Sequence, residues 1–356
     1  MNTTKTYGLA IAALANFPVT PLLIRGAIAT LQAAPSIWRR FPAIYRDEVS
    51  LPATSNRDYS VPRLADRQPD TDPGVERWFI ESPAMRRIVE VQIQPAKQPH
   101  APMLYLLDGI TAPKRSGWLR EGQLQYALKD ENVTVVMPTE AAGSLYDDWH
   151  ADDPYLGRNQ WRTFLTSELP AVLEDPAAGL SFNGTRIIAG LSMGAAAAVR
   201  LAAQHPTVFH GVIGLSGCYS TTSTMGWGMT LSIIRGVGGD PDNIWTTEQR
   251  FAADVIRYPL MLKDTPVYLF ASDGKVTAFD IEKHLGRPAI ELPGAVLLEC
   301  ASYTCTKELD QAMRNVGLTH QVVCYQQGGV HDWAYYGEQL KKGWNTVYSQ
   351  HLEKVL

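Results

Sequence analysis

The sequence predicts an α/β protein built on a mostly parallel central sheet with helices on both faces. Two observations carry this. Short apolar runs alternate with helical stretches from about residue 100 onward, which is the pattern of strands buried under crossover helices. A chain of 356 residues, 45% hydrophobic and 19% charged, can also bury a core that folds without metal or disulfide.

Residues 1–34 come first. "MNTTKTYGLAIAALANFPV" carries one Lys and then a mostly apolar run, and "TPLLIRGAIATLQAAPS" ends in small residues. This predicts an export signal, an N-terminal amphipathic helix being the other reading. Asn16, Pro18, Pro21 and Arg25 interrupt the run, whereas a spanning helix wants about 20 uninterrupted apolar residues. Residues 35–74 are rich in Pro, Arg and Asp without a sustained period, and predict a linker or an irregular wrap-around segment.

The catalytic domain is expected over 75–356. "ERWFIES" and "RRIVEVQIQ" alternate like an antiparallel edge pair. "PMLYLLDG", "VTVVMPTE", "GTRIIAGLS", "HGVIGLSG", "PVYLFASDG" and "THQVVCYQQ" read as successive strands. "GWLREGQLQYALKD", "WRTFLTSELPAVLED", the Ala-rich stretch ending at His205-Pro206, "TKELDQAMRNVG" and the segment from "WAYYGEQL" to the C-terminus read as helices. Residues 219–263 break the alternation with Met, Trp, Leu and Ile between Gly hinges. They predict an apolar insertion, either a wall of the site or a surface helical hairpin.

A net charge of −4 with both signs spread along the chain excludes a nucleic-acid footprint. Cys218, Cys300, Cys305 and Cys324 form no CxxC pair and have no His at ligand spacing. No metal site is therefore predicted, and the count alone fits two disulfides or four thiols.

The chemistry starts at Gly190-Leu191-Ser192-Met193-Gly194, a G-x-S-x-G motif between an apolar strand and a small-residue helix. That context makes Ser192 a candidate nucleophile, since an elbow so tight needs neighbours without bulky side chains. His331, in the "QQGGVHDW" loop after the last strand, is the candidate base in the order Ser, acid, His. Two acids compete. Asp273 ends the strand "PVYLFASDG", and Glu299 lies in "GAVLLECAS". Residue chemistry alone favours Asp273, at a strand end. The loop Asp108-Gly109-Ile110-Thr111 should supply half of an oxyanion hole, pairing the amides of Ile110 and Met193. Asp108 is a poor filler for a buried strand end, so its carboxylate is expected to accept hydrogen bonds from a substrate hydroxyl or nearby backbone.

With these residues in view, the chain resembles the mycolyltransferases of mycobacteria and corynebacteria, the antigen 85 type. The resemblance covers about residues 76 to 350. It rests on "YLLDG" followed by Gly117-Trp118, "VVMP", "LYDDW", "TFLTSELP", "GLSM", "LAAQHP" and "HDWAYYGEQL" in one order. It implies an α/β-hydrolase fold and transfer of a mycolyl group from trehalose monomycolate, through an acyl-serine, to a second trehalose monomycolate or another envelope acceptor. It places the catalytic roles on Ser192, His331 and Glu299, displacing Asp273. It places substrate contacts on Asp108, Trp333 and Trp118. No cofactor is implied. Secretion to the cell envelope is expected, with trehalose mycolates as partners and association with the outer lipid layer.

The sequence also departs from that family. Thr111 stands where the family has an arginine and Ser116 where it has an asparagine, both sugar-contacting positions. "HADDPYLGRNQ" replaces the family's disulfide loop. The cysteines cluster instead around the acid, and Cys300 and Cys305 are expected to be oxidised, in an unassigned pairing. Two rival readings stand beside the transferase: a secreted carboxylesterase or thioesterase of the same fold, and a non-catalytic envelope binding protein.

Overall fold

The computed structural model describes residues 44–51, 59–289 and 291–355. The segment read as an export signal lies outside them. Among the described residues no helix is long and apolar enough to cross a membrane.

Nine strands form one sheet in the order β1-β2-β3-β5-β4-β6-β7-β8-β9. They are β1 (Arg63–Pro69), β2 (Glu76–Ser82), β3 (Arg87–Gln94), β4 (Ala101–Leu107), β5 (Thr134–Pro138), β6 (Phe182–Leu191), β7 (Val212–Leu215), β8 (Val267–Ser272) and β9 (Val322–Gln326). The first three pair antiparallel, and β3 meets β5 antiparallel. From β5 through β9 every pairing is parallel. All residues of β4, β5, β7 and β8 are buried, as strands covered on both faces must be.

One strand corrects the sequence reading. β1 falls inside the segment read as irregular. Its residues are nearly all exposed, so it carries no apolar period to detect. It is the sheet's edge, and polar residues with a terminal proline suit an edge. It is held by the two bonds of Arg63 to Glu81 and by the Arg67 guanidinium over Trp78.

Each face of the sheet carries its own core. One face packs against the helix Met193–Gln204 and buries Ala197, Ala198, Leu201 and Ala202, with Leu309 and Met313 from the long helix Glu291–Asn315. The other packs against the final helix Tyr336–Val355 through Leu340, Trp344 and Val347.

Three helices differ from their sequence expectations. "GWLREGQLQYALKD" splits into Gly117–Arg120 and Leu124–Ala127. A side chain at Gly122 would strike the Trp118 backbone at 2.8 Å, and Gln123 is left-handed, with φ 51°. "WRTFLTSELPAVLED" widens into a π turn over Phe164–Glu168, just ahead of Pro170, which has no N–H to give the carbonyl four residues back. The helix ending in "TKELDQAMRNVG" starts much earlier, at Glu291, so "GAVLLECAS" and its glutamate are helical.

Cys218, just after β7, is bonded to Cys305 of that long helix, across 87 residues of chain. In the chain-entropy account a loop of this length stabilises the fold by about 4.6 kcal/mol.

Candidate active site

Ser192 sits at the carboxyl end of β6 with φ 54° and ψ −119°, a backbone conformation that costs about 1–3 kcal/mol and persists only where the surroundings enforce it. The surroundings here are two glycines. A Cβ on Gly190 would lie 2.3 Å from the Gly194 carbonyl carbon, and one on Gly194 would lie 2.6 Å from the carbonyl oxygens of Leu107 and Asp108. The helix Met193–Gln204 is thereby pressed onto the end of β4. The Ser192 N–H donates to Leu215 O at 2.8 Å, tying the elbow to β7.

The next residue along β7 begins a continuous set of bonds. Ser216 Oγ donates to Glu299 Oε1 at 2.8 Å, and Ser272 N–H donates to the same oxygen at 2.6 Å. Glu299 Oε2 bonds His331 Nδ1 at 2.8 Å. With Oε1 accepting twice, Oε2 is the acceptor for an Nδ1–H, and the Nε2 lone pair of His331 is left for a base. His331 is fixed from its backbone as well, its N–H donating to Ala295 O at 3.1 Å.

Asp273 is turned elsewhere. Its Oδ1 accepts from the N–H groups of Lys275 and Gly328, and Lys275 Nζ lies 2.8 Å from Oδ2. Partial burial opposes its ionisation, but these bonds outweigh it and hold the carboxyl below its usual range. The residue-chemistry preference for Asp273 is therefore corrected: the carboxylate on His331 comes from a helix. Ser216 and Ser272, which orient that carboxylate, had no signal in the sequence beyond their places at strand ends.

Opposite the elbow, a Cβ on Gly109 would lie 3.7 Å from Ser192 Cβ, so the Gly109-Ile110 loop lies against the serine. Met193, first residue of its helix, has no intrahelical acceptor for its N–H. The loop bearing Ile110 and the helix start at Met193 thus both adjoin Ser192. Tyr146, missed by the sequence reading, fixes the loop's start: Asp108 N–H donates to its hydroxyl at 2.9 Å.

Asp108 is buried, with Oδ1 accepting from Gly117 N–H at 3.1 Å and Oδ2 without a partner. Burial pushes its carboxyl up to about 7, against the bond from Gly117. The folded protein then holds this proton more tightly than the unfolded chain. Stability from the site is present below the ordinary carboxylate pKa and is lost as pH rises toward 7. Going from pH 5 to 8 should cost the wild type on the order of 2 kcal/mol at this site, a cost absent in Asp108→Asn. Melting temperatures of the two proteins at both pH values test this, and parallel shifts would refute it.

Trp118 requires a correction. It is fully buried, donates Nε1–H to Leu107 O at 3.1 Å and meets Trp333 edge to face at 5.3 Å. It props Trp333 from beneath and offers no surface to a substrate. Trp333 is half-buried, and its ring would clash with any side chain at Gly117, where a Cβ would lie 2.3 Å away. The Gly-Trp pair is thus a seat for Trp333.

The insertion 219–263 is largely helical, including Thr224–Gly236 and Thr247–Ala252. Gly226, Met229, Thr230 and Ile233 of its first helix line a cavity together with Ser192, Ser216 and Leu145. This cavity measures about 20 Å³, room for about one water. The insertion therefore walls this cavity, which is too small for an acyl chain. Arg200 also borders it, held by Asp147 at 3.4 Å and by Leu145 O at 2.6 Å. Asp148 accepts from Thr163 N–H and Oγ1, and Glu168 accepts from Ala84 N–H and Ser82 Oγ. "LYDDW" and the start of "TFLTSELP" therefore brace each other behind the serine, and Glu168 ties its helix to the turn between β2 and β3.

The cysteine expectation is half corrected. Cys305 is oxidised with Cys218, but Cys300 is a free thiol, as is Cys324. Five residues apart on one helix, Cys300 and Cys305 point in different directions. Cys300 packs against Gly274, and burial, with Glu299 and Asp273 nearby, pushes its thiol up to about 11.

Comparison with known proteins agrees with this geometry. The esterase family model, described as "Putative esterase", matches residues 82–346. Diacylglycerol acyltransferase/mycolyltransferase Ag85B of Mycolicibacterium smegmatis is 30% identical over 289 residues, covering 75% of this chain and 82% of that protein. The crystal structure of Mycobacterium tuberculosis MPT51 superposes with a TM-score of 0.62 at 26% identity, covering 76% of this chain and 96% of the other. An S-formylglutathione hydrolase from Agrobacterium tumefaciens, 16% identical, shares the fold with a TM-score of 0.53 over 83% of this chain and all of the other.

Proposed function

The chain belongs to the antigen 85 mycolyltransferase family of α/β-hydrolase esterases, and we propose that it is a serine acyltransferase moving a mycolyl group from trehalose monomycolate to a second sugar hydroxyl of the cell envelope. The observation that carries the reading is the bond set from Ser216 through Glu299 to His331, beside a serine held in a strained elbow.

In this mechanism Ser192 Oγ attacks the ester carbonyl and His331 Nε2 takes its proton. The amides of Ile110 and Met193 hold the oxyanion, and Glu299 stabilises the imidazolium. The intermediate collapses, trehalose leaves with the proton from His331, and the acyl chain stays on Ser192. A sugar hydroxyl then gives its proton to His331, attacks the acyl-serine and carries the chain away, and Ser192 recovers its proton. Transfer prevails over hydrolysis where water is kept from the acyl-enzyme. Asp108 Oδ2, buried without a partner, and the half-exposed face of Trp333 support a sugar site beside it. An extracellular setting is supported by the likeness to these relatives and by the disulfide, a bond of oxidising compartments.

The test is incubation of the purified protein with trehalose monomycolate, with products read by mass. Trehalose dimycolate plus free trehalose is the expected outcome. Free mycolate plus trehalose would assign a hydrolase, and unchanged substrate would assign a binding protein.

A further inference from the structure

Chain that precedes the esterase-matched region returns to the site. Residues 46–48 make one 3-10 turn. Tyr45, just before it, docks on the C-terminal end of the insertion helix Thr224–Gly236, its N–H donating to Gly236 O at 2.9 Å. The turn is pinned by the Arg46 guanidinium over the Tyr155 ring, 4.5 Å from its centre. Gly236 leaves a bare patch on the helix, and two side chains converge over it. A Cβ there would lie 3.2 Å from Ile110 Cδ1 and 3.6 Å from Tyr45 Cδ2. Tyr45, Val49, Ile110 and Ile233 all pack against one core cluster. Ile110 bears an amide assigned to the oxyanion, and Ile233 lines the cavity at Ser192. Tyr45 thus shares the Gly236 surface with Ile110, the residue after the glycine that lies against Ser192.

The size of the inner cavity makes this position matter. The cavity lined by Ser192 has room for about one water, too little for a long acyl chain. Ile110 and Tyr45 converge over the Gly236 end of the insertion helix, beside the Gly109-Ile110 loop that lies against Ser192. The Tyr45 phenol is pushed above its ordinary pKa by burial, with the Glu48 and Glu291 carboxylates adding to the effect.

We propose that residues 44–49 are a strap forming the outer wall of the acyl site, and that Tyr45 is a specificity-determining residue favouring long acyl chains over short ones. The inference rests on the acyl-serine reading of Ser192 and concerns only which chains that serine accepts.

The test compares p-nitrophenyl butyrate and palmitate on the full chain, reading the palmitate-to-butyrate ratio of kcat/KM. Tyr45→Ala should lower the ratio about fivefold through lost apolar contact, and Tyr45→Phe should keep the wild-type ratio. Tyr45→Leu, with shorter apolar reach, should fall between and serves if the alanine protein does not fold. A folded Tyr45→Ala or Tyr45→Leu protein with the wild-type ratio overturns the proposal, as does Tyr45→Phe falling with the alanine variant. Butyrate turnover that survives in Ser192→Ala would instead overturn the acyl-serine reading, so the two failures are distinct.

Discussion

Fluorophosphonate labelling disappears when Ser192 is replaced by alanine, and ester turnover falls by about 10⁴-fold or more. Nothing else at the elbow needs to change. Alanine carries the same Cβ at φ 54°, and the Ser192 N–H bond to Leu215 O is made by backbone. The variant should fold and keep its melting temperature, so the loss reports chemistry. Labelling at wild-type stoichiometry in Ser192→Ala would place the nucleophile elsewhere. A folded variant with turnover within tenfold of wild type would remove the acyl-serine from the mechanism.

The second large effect separates two acids. Glu299→Gln should lower kcat by roughly 10³–10⁴-fold, and Asp273→Asn by less than about threefold. The glutamine has no neutral way to fit. If its amide nitrogen faces His331, it holds the imidazole in the wrong tautomer. If its oxygen faces His331, the amide nitrogen opposes the Ser272 N–H, a backbone donor that cannot turn round. Asparagine at 273 weakens only the contact with Lys275, an exposed pair at 2.8 Å worth little in water. Steady-state kinetics on a soluble ester, with near-UV circular dichroism to confirm packing, decides between them. Equal losses, or a larger loss at Asp273, would return the acid to the strand end.

Much of the site could be read from the chain because the elbow is a local device. Gly190, Ser192 and Gly194 lie within five residues, and the strand and helix that strain the serine are contiguous with it. The loop at Asp108 was legible for the same reason, as the end of an apolar strand that needs a polar residue explained. Trp118 was misplaced because an indole beside a sugar-contacting motif and an indole beneath one look alike in sequence; only its zero exposure separates them. β1 and the early start of the helix at Glu291 escaped for related reasons. An exposed edge strand shows no period, and a helix half-lined with small and polar residues shows a weak one.

By itself the sequence determined the α/β class, the elbow and its serine, and the histidine loop. Each depends on hydrophobic period or on residues adjacent in the chain, and such patterns survive without knowledge of distant contacts. Tertiary structure decided what residue chemistry left open or misjudged: that Glu299, as the family resemblance implied, rather than Asp273 faces His331, that Cys218 and not Cys300 pairs with Cys305, and that Tyr45 and Ile110 converge over Gly236. These are meetings of residues 32, 87 and 65 positions apart. Hydrogen bonds, disulfides and apolar contacts form by distance and direction, which a linear order of residues does not contain until the sheet brings its strand ends together.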